Sequence, residues 1–137
     1  MERKEKLKKL LKDSKPIFNK VDKISEELRE GVSRDGGYYE TTLDVLTGCY
    51  SYLYPVFKKL EAQKRNAEVG HYMILKNKAA ENDEKFTSAP ADREASYEVR
   101  DLRLARNIFE GHSVATETCI NTCKKHLSKD AEGNPGY

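Results

Sequence analysis

Between Tyr39 and Glu81, Leu43, Leu46, Tyr50, Leu53, Phe57 and Leu60 recur at steps of three and four, and Lys64 and Ala67 keep the same phase. That spacing holds one face of a helix apolar, so it predicts a long amphipathic helix over 39–81. The heptad-like seam asks for a partner helix, and Leu43, Leu46, Leu53, Phe57 and Leu60 are its candidate contacts with another subunit or protein. Pro55 is expected to kink this helix rather than end it, because the apolar phase survives the proline. Upstream, Leu7, Leu10, Ser14, Ile17, Val21, Ile24 and Leu28 alternate as a and d positions, with Ser14 the polar exception. They predict a helix over 2–30. Pro16 lacks an N–H and pushes Lys15 away from helical geometry, so a break near Pro16 is expected, with Asp13 and Ser14 supplying capping oxygens.

Gly31–Gly37 (GVSRDGG) reads as a turn, with Asp35 able to close a local hydrogen bond. From Asn77 to Pro90 the chain turns polar and acidic, and Thr87-Ser88-Ala89-Pro90 reads as a loop. Asp92 is placed to cap a last helix over 92–127. Its stripe is Leu102, Ala105, Phe109, His112, Ala115, Cys119 and Cys123, widened by Val99, Leu104, Ile108 and Ile120. Residues 128–137 hold glycines, a proline and no apolar run, and are expected to be a flexible tail. No stretch alternates with period two. The expected fold is all-α: long amphipathic helices in an extended bundle with coiled-coil-like seams, a single domain over 1–127.

Composition sharpens this. Charged residues make up 35% of the 137 and hydrophobic residues 37%, which favours narrow seams between long helices, or burial completed by homo-oligomerisation. The net charge of +2 alone does not argue for nucleic acid, but its distribution is uneven. Arg3, Lys4, Lys6, Lys8, Lys9 and Lys12 face only Glu2 and Glu5 in the first dozen residues, whereas residues 79–98 are acidic. No apolar run approaches the ~20 residues of a membrane span, and no membrane partner is expected. Three cysteines without framework spacing fit reduced thiols and a cytoplasmic location, the host's if the protein is viral.

Cys119 and Cys123 share a helix face with His112 and His126 nearby, the ligand types zinc takes. At ~1.5 Å rise per residue, Cys119 and His126 lie about 10 Å apart along the axis, too far for one ion. No metal or cofactor is expected. No loop joins a nucleophile to a base, and GVSRDGG lacks the Lys-Ser/Thr of a phosphate loop, so an enzyme is not expected either.

A different chemistry is suggested between residues 57 and 78. Lys58, Lys59, Lys64, Arg65, Lys76 and Lys78 outnumber Glu61 and Glu68, and Tyr52, Tyr54, Phe57 and Tyr72 are close in sequence. Cations that track a backbone beside rings that stack on bases make a single-strand binding surface. The same residues also suit a plain solvated helix face with pairs such as Glu61–Arg65.

Lys59-Leu60-Glu61-Ala62-Gln63-Lys64-Arg65-Asn66-Ala67 resembles the basic helix of the UvsY family of phage recombination mediators. There an apolar residue precedes Glu-Ala-Gln-Lys-Lys and an alanine follows. The resemblance implies a small helical homo-oligomer that binds single-stranded DNA and loads a RecA-like recombinase onto DNA covered by a single-strand-binding protein. Lys64 and Arg65 fall on the family's Lys-Lys pair. A second basic pair expected about one turn later falls on Val69 and His71, a departure from the pattern. The rival expectation is a helical protein-interaction module, such as a small viral inhibitor or adaptor of a host protein, which needs no nucleic acid.

Overall fold

The longest apolar seam becomes the longest element. The computed structural model describes residues 2–32 and 34–132, and these form an all-α fold of helices α1 (Arg3–Arg29), α2 (Gly36–Glu81), α3 (Ser88–Glu98) and α4 (Arg100–Glu132). At ~1.5 Å per residue α2 is about 69 Å long. Helices α3 and α4 run back along it, with Glu68 paired to Arg103, Glu61 to Arg106, and Tyr39 stacked on His126. Helix α1 lies against α4 in the same direction, from Arg3 beside Asp101 to Asp22 beside His112.

Two apolar clusters fill the bundle. One joins Phe18, Val21, Leu53, Leu60, Leu102 and Phe109, with Phe18 meeting Phe109 edge-on at 5.1 Å. The other joins Ile24, Tyr39, Leu46, Cys119 and Cys123. The α2 seam is therefore covered inside the chain. Leu46 and Leu53 are 0% exposed and Leu60 is 2% exposed, while Leu43 and Phe57 pack as half-buried neighbours of the two clusters. Cover expected from another subunit comes instead from α1 and α4.

Helix α1 is unbroken through Pro16, contrary to the expected break. Pro16 sits on the exposed side, and so does Lys12, whose carbonyl loses its helical donor to the proline at a position open to solvent. Pro55 and Ser51 repeat the arrangement in α2, which likewise runs through. Ser14 caps nothing: it is 0% exposed, and its hydroxyl lies 2.7 Å from that of Tyr52 across the α1–α2 seam. Asp35 does close a local bond, accepting from the Tyr38 backbone N–H at 2.8 Å as the N-cap of α2. Gly31, at φ +69°, takes the left-handed position after α1.

The expected helix over 92–127 is two helices and starts earlier. Ser88, Ala89 and Pro90, expected in a loop, form the first turn of α3, where a proline's missing N–H costs nothing. The chain then breaks at Val99. Three guanidinium groups satisfy the carbonyls that the break frees: Arg103 donates to Ser96 O, Arg100 to Tyr97 O, and Arg3 to Glu98 O. Leu104, assigned to the apolar stripe, is 62% exposed: at about 100° per residue it stands roughly 200° around α4 from Leu102 and roughly 140° from Phe109, on the outer side. Residues 128–132, expected in the tail, continue α4; residues 133–137 lie outside the described chain.

Beyond the start of α1, α2 and α3 alone remain paired among the described residues, as an arm. Ala91 and Ala95 are buried there, small enough to let the two helices approach closely. The tip turns through Asp83 at φ 54°, with the Glu84 N–H donating to Ala79 O at 2.8 Å and the Asp83 N–H to Ala80 O at 3.3 Å. Tyr72 meets Phe86 edge-on at 5.4 Å just inside it.

Candidate nucleic-acid interface

Helix periodicity sorts the six candidate cations of α2. Lys58, Arg65 and Lys76 are spaced by seven and eleven residues, so at about 3.6 residues per turn they stand in one line. All three are exposed. Lys64 follows the buried Leu60 by four residues and is half-buried on the packed side of the helix. Lys59 faces the groove between α2 and α1. Lys78 is exposed on the arm, in the phase of Leu60, Ala67 and His71 rather than of the outer line. The six do not form one patch; three of them form one stripe.

The carboxylates of this stretch turn the other way. Glu61 accepts from Arg106 of α4 at 3.1 Å, and Arg106 also pairs with Glu110 at 2.9 Å. The hydrogen bond from Arg106 holds the Glu61 carboxyl below its ordinary range against the opposing effect of burial, and Lys58 adds to the lowering from 3.4 Å. Glu68 lies 4.0 Å from Arg103. Arg100, Arg103 and Arg106 are thus spent on helix ends and on α2.

The rings divide similarly. Tyr52 points inward to Ser14, and Tyr72 is half-buried against Phe86. Phe57 packs on the core beneath Arg106, whose guanidinium carbon is 5.4 Å from the ring centre. Tyr54, 39% exposed, is the outward ring of the sequence-derived set. It stacks on Tyr50 at 5.3 Å, and the Lys58 ammonium lies 5.8 Å from its centre. Tyr50 was legible only as a seam position, yet its four-residue spacing from Tyr54 is the signal for this ring pair.

Cys49, Cys119 and Cys123 are free and buried, and burial pushes each thiol above its ordinary value. His112 stacks on Phe18 at 4.3 Å, with one ring nitrogen 2.9 Å from Ile108 O and the other 3.2 Å from Asp22. Among the described residues no three His, Cys, Asp or Glu side chains come together as a metal site, and no helix is long and apolar enough to cross a membrane. No protein-family model, curated protein or solved structure matches this chain.

Proposed function

We propose that this protein is a non-enzymatic binder of single-stranded DNA that acts as a recombination mediator, helping to load a RecA-like recombinase onto DNA held by a single-strand-binding protein. One observation supports the binding surface. Between Tyr54 and Lys78 the two carboxylates face arginines of α4, while Lys58, Arg65 and Lys76 line the solvent face behind the Tyr50–Tyr54 pair. Phosphates meet the cations and a base stacks on Tyr54, a sequence-tolerant mode of recognition. The mediator role follows from the resemblance of residues 59–67. Assembly into a homo-oligomer sets copies of a modest stripe side by side and raises avidity without new contacts.

The test is fluorescence anisotropy of a labelled single-stranded oligonucleotide at low and physiological salt, with duplex of equal length as control. Salt-sensitive binding that favours the single strand is expected. Absence of binding at low salt discards the reading and leaves a protein-interaction module.

A further inference from the structure

Helix α1 leans on α4 and leaves a groove of about 590 Å³ along its N-terminal half, between it and α2. One wall is a ridge of α1: Arg3, Lys6, Leu7 and Leu10, spaced by three, one and three residues. The other is a ridge of α2: Val56, Lys59, Leu60, Gln63 and Ala67, on the same helical rhythm. The floor between them is apolar and is completed by Leu102 of α4.

We propose that this groove receives an amphipathic helix of a partner protein, about three turns long, with an apolar stripe flanked by acidic residues. Two helical ridges bounding a trough are the surface into which a third ridge interdigitates. From Val56 to Ala67 the α2 wall is about 16 Å long, which sets the three turns. Leu10 and Val56 are half-buried, so apolar area remains to be covered at the lip. Charge fixes the flanks: among the described residues no carboxylate lines the groove, and Lys6 and Lys59 stand on opposite rims, both exposed. Arg3 is already held by Asp101, so these two lysines carry the selectivity. Apolar anchors at i, i+4 and i+7 meet the floor while acidic residues on either side reach a lysine each. The groove lies off the outer stripe of α2, and the proposal does not rest on DNA binding.

The experiment titrates the full chain with two labelled fourteen-residue helical peptides. They carry identical leucine stripes, flanked by glutamates in one and by lysines in the other. Backbone amide shifts are followed by NMR, after sedimentation has fixed the assembly state. The acidic peptide is expected to bind at least about tenfold tighter than the basic one, a difference of ~1.4 kcal/mol, with shifts centred on Leu10, Val56, Gln63 and Ala67. Lys6→Glu with Lys59→Glu, both at exposed positions, is expected to reverse the preference while the helical circular dichroism stays unchanged. Equal binding of the two peptides, no binding of either, or shifts centred elsewhere overturns the proposal. So does occupation of the groove by a second copy, seen as the same shifts on raising protein concentration alone. Decanoate, included as a lipid-like control, overturns it if it alone produces those shifts.

Discussion

Arg3 grips the carboxylate of Asp101 with two hydrogen bonds, 2.7 and 3.0 Å long, and spends a third, of 2.7 Å, on Glu98 O. One side chain near the start of the sequence thereby ties α1 to α4 and closes an end of α3. Burial raises the Asp101 carboxyl, but the hydrogen bonds from Arg3 and the backbone outweigh it and hold the group below its ordinary value. Glu61 is lowered by Arg106 in the same sense. A carboxyl whose folded value lies below its unfolded one adds stability above the unfolded value, and loses that contribution as pH falls through the folded one. The urea midpoint is therefore expected to hold steady above about pH 5 and to decline below the ordinary carboxyl range near ~4. Asp101→Asn should lower the midpoint at neutral pH and shrink the acid decline. An unchanged acid limb in that variant would remove the pair from this account.

Ser14 is fully buried and Tyr52 half-buried, and their hydroxyls satisfy each other at 2.7 Å. Ser14→Ala leaves the Tyr52 hydroxyl without its partner, and a loss of ~1–2 kcal/mol is expected. Tyr52→Phe strands the buried serine in the same way. The double variant should be less destabilised than the two losses summed, because it removes both polar groups together. Urea denaturation of the four proteins measures this coupling, and strict additivity would mean that the two hydroxyls do not interact.

Much of this fold was legible in the sequence because its helices are long enough for the 3.6-residue rhythm to dominate. Leu46, Leu53 and Leu60 announce the buried face of α2, and Phe109 with Leu102 announces that of α4. The departures have physical causes outside any single helix. Pro16 reads as a breaker only until the tertiary fold shows it on the solvent side beside an exposed Lys12. The break at Val99 has no glycine or proline to mark it, and is held by Arg3 from almost a hundred residues away. Of the candidate site, composition showed the cations but not their division, because Lys64 and Arg65 are neighbours in sequence and face different ways on a helix.

Phe109 is wholly buried and touches the ring of Phe18, whereas Leu104 in the same helix is largely exposed. Phe109→Ala should cost ~3–5 kcal/mol through lost burial and the cavity left behind. Leu104→Ala should lie within about 0.5 kcal/mol of the parent protein. Comparable losses at the two positions, read from urea midpoints, would contradict the phase of α4 after Val99.

Cys49, Cys119 and Cys123 are 6%, 5% and 0% exposed, and burial is the first cause of their raised values. The thiolate is the reactive form, so the native thiols are doubly protected. A chromogenic disulfide reagent at neutral pH should modify them at least about a hundredfold more slowly than in denaturant. Fast labelling of Cys119 and Cys123 in the native protein would show that the Tyr39–Leu46–Cys123 end of the bundle opens readily.

The division of the α2 cations gives the DNA proposal its sharpest consequence. Lys64 and Arg65 match the same pair of the mediator motif, yet Lys64 is half-buried on the packed side and Arg65 stands between Lys58 and Lys76 on the outer stripe. Each phosphate contact contributes ~0.7 to the logarithmic salt slope for a single strand. Arg65→Ala and Lys76→Ala should each weaken binding and flatten that slope by about this amount. Lys64→Ala should leave the slope unchanged. Tyr54→Ala should weaken binding at every salt concentration without altering the slope, because a stacked base releases no counterion. Equal effects of Lys64→Ala and Arg65→Ala would mean that DNA approaches from the packed side, and the stripe of Lys58, Arg65 and Lys76 would then be an ordinary solvated face.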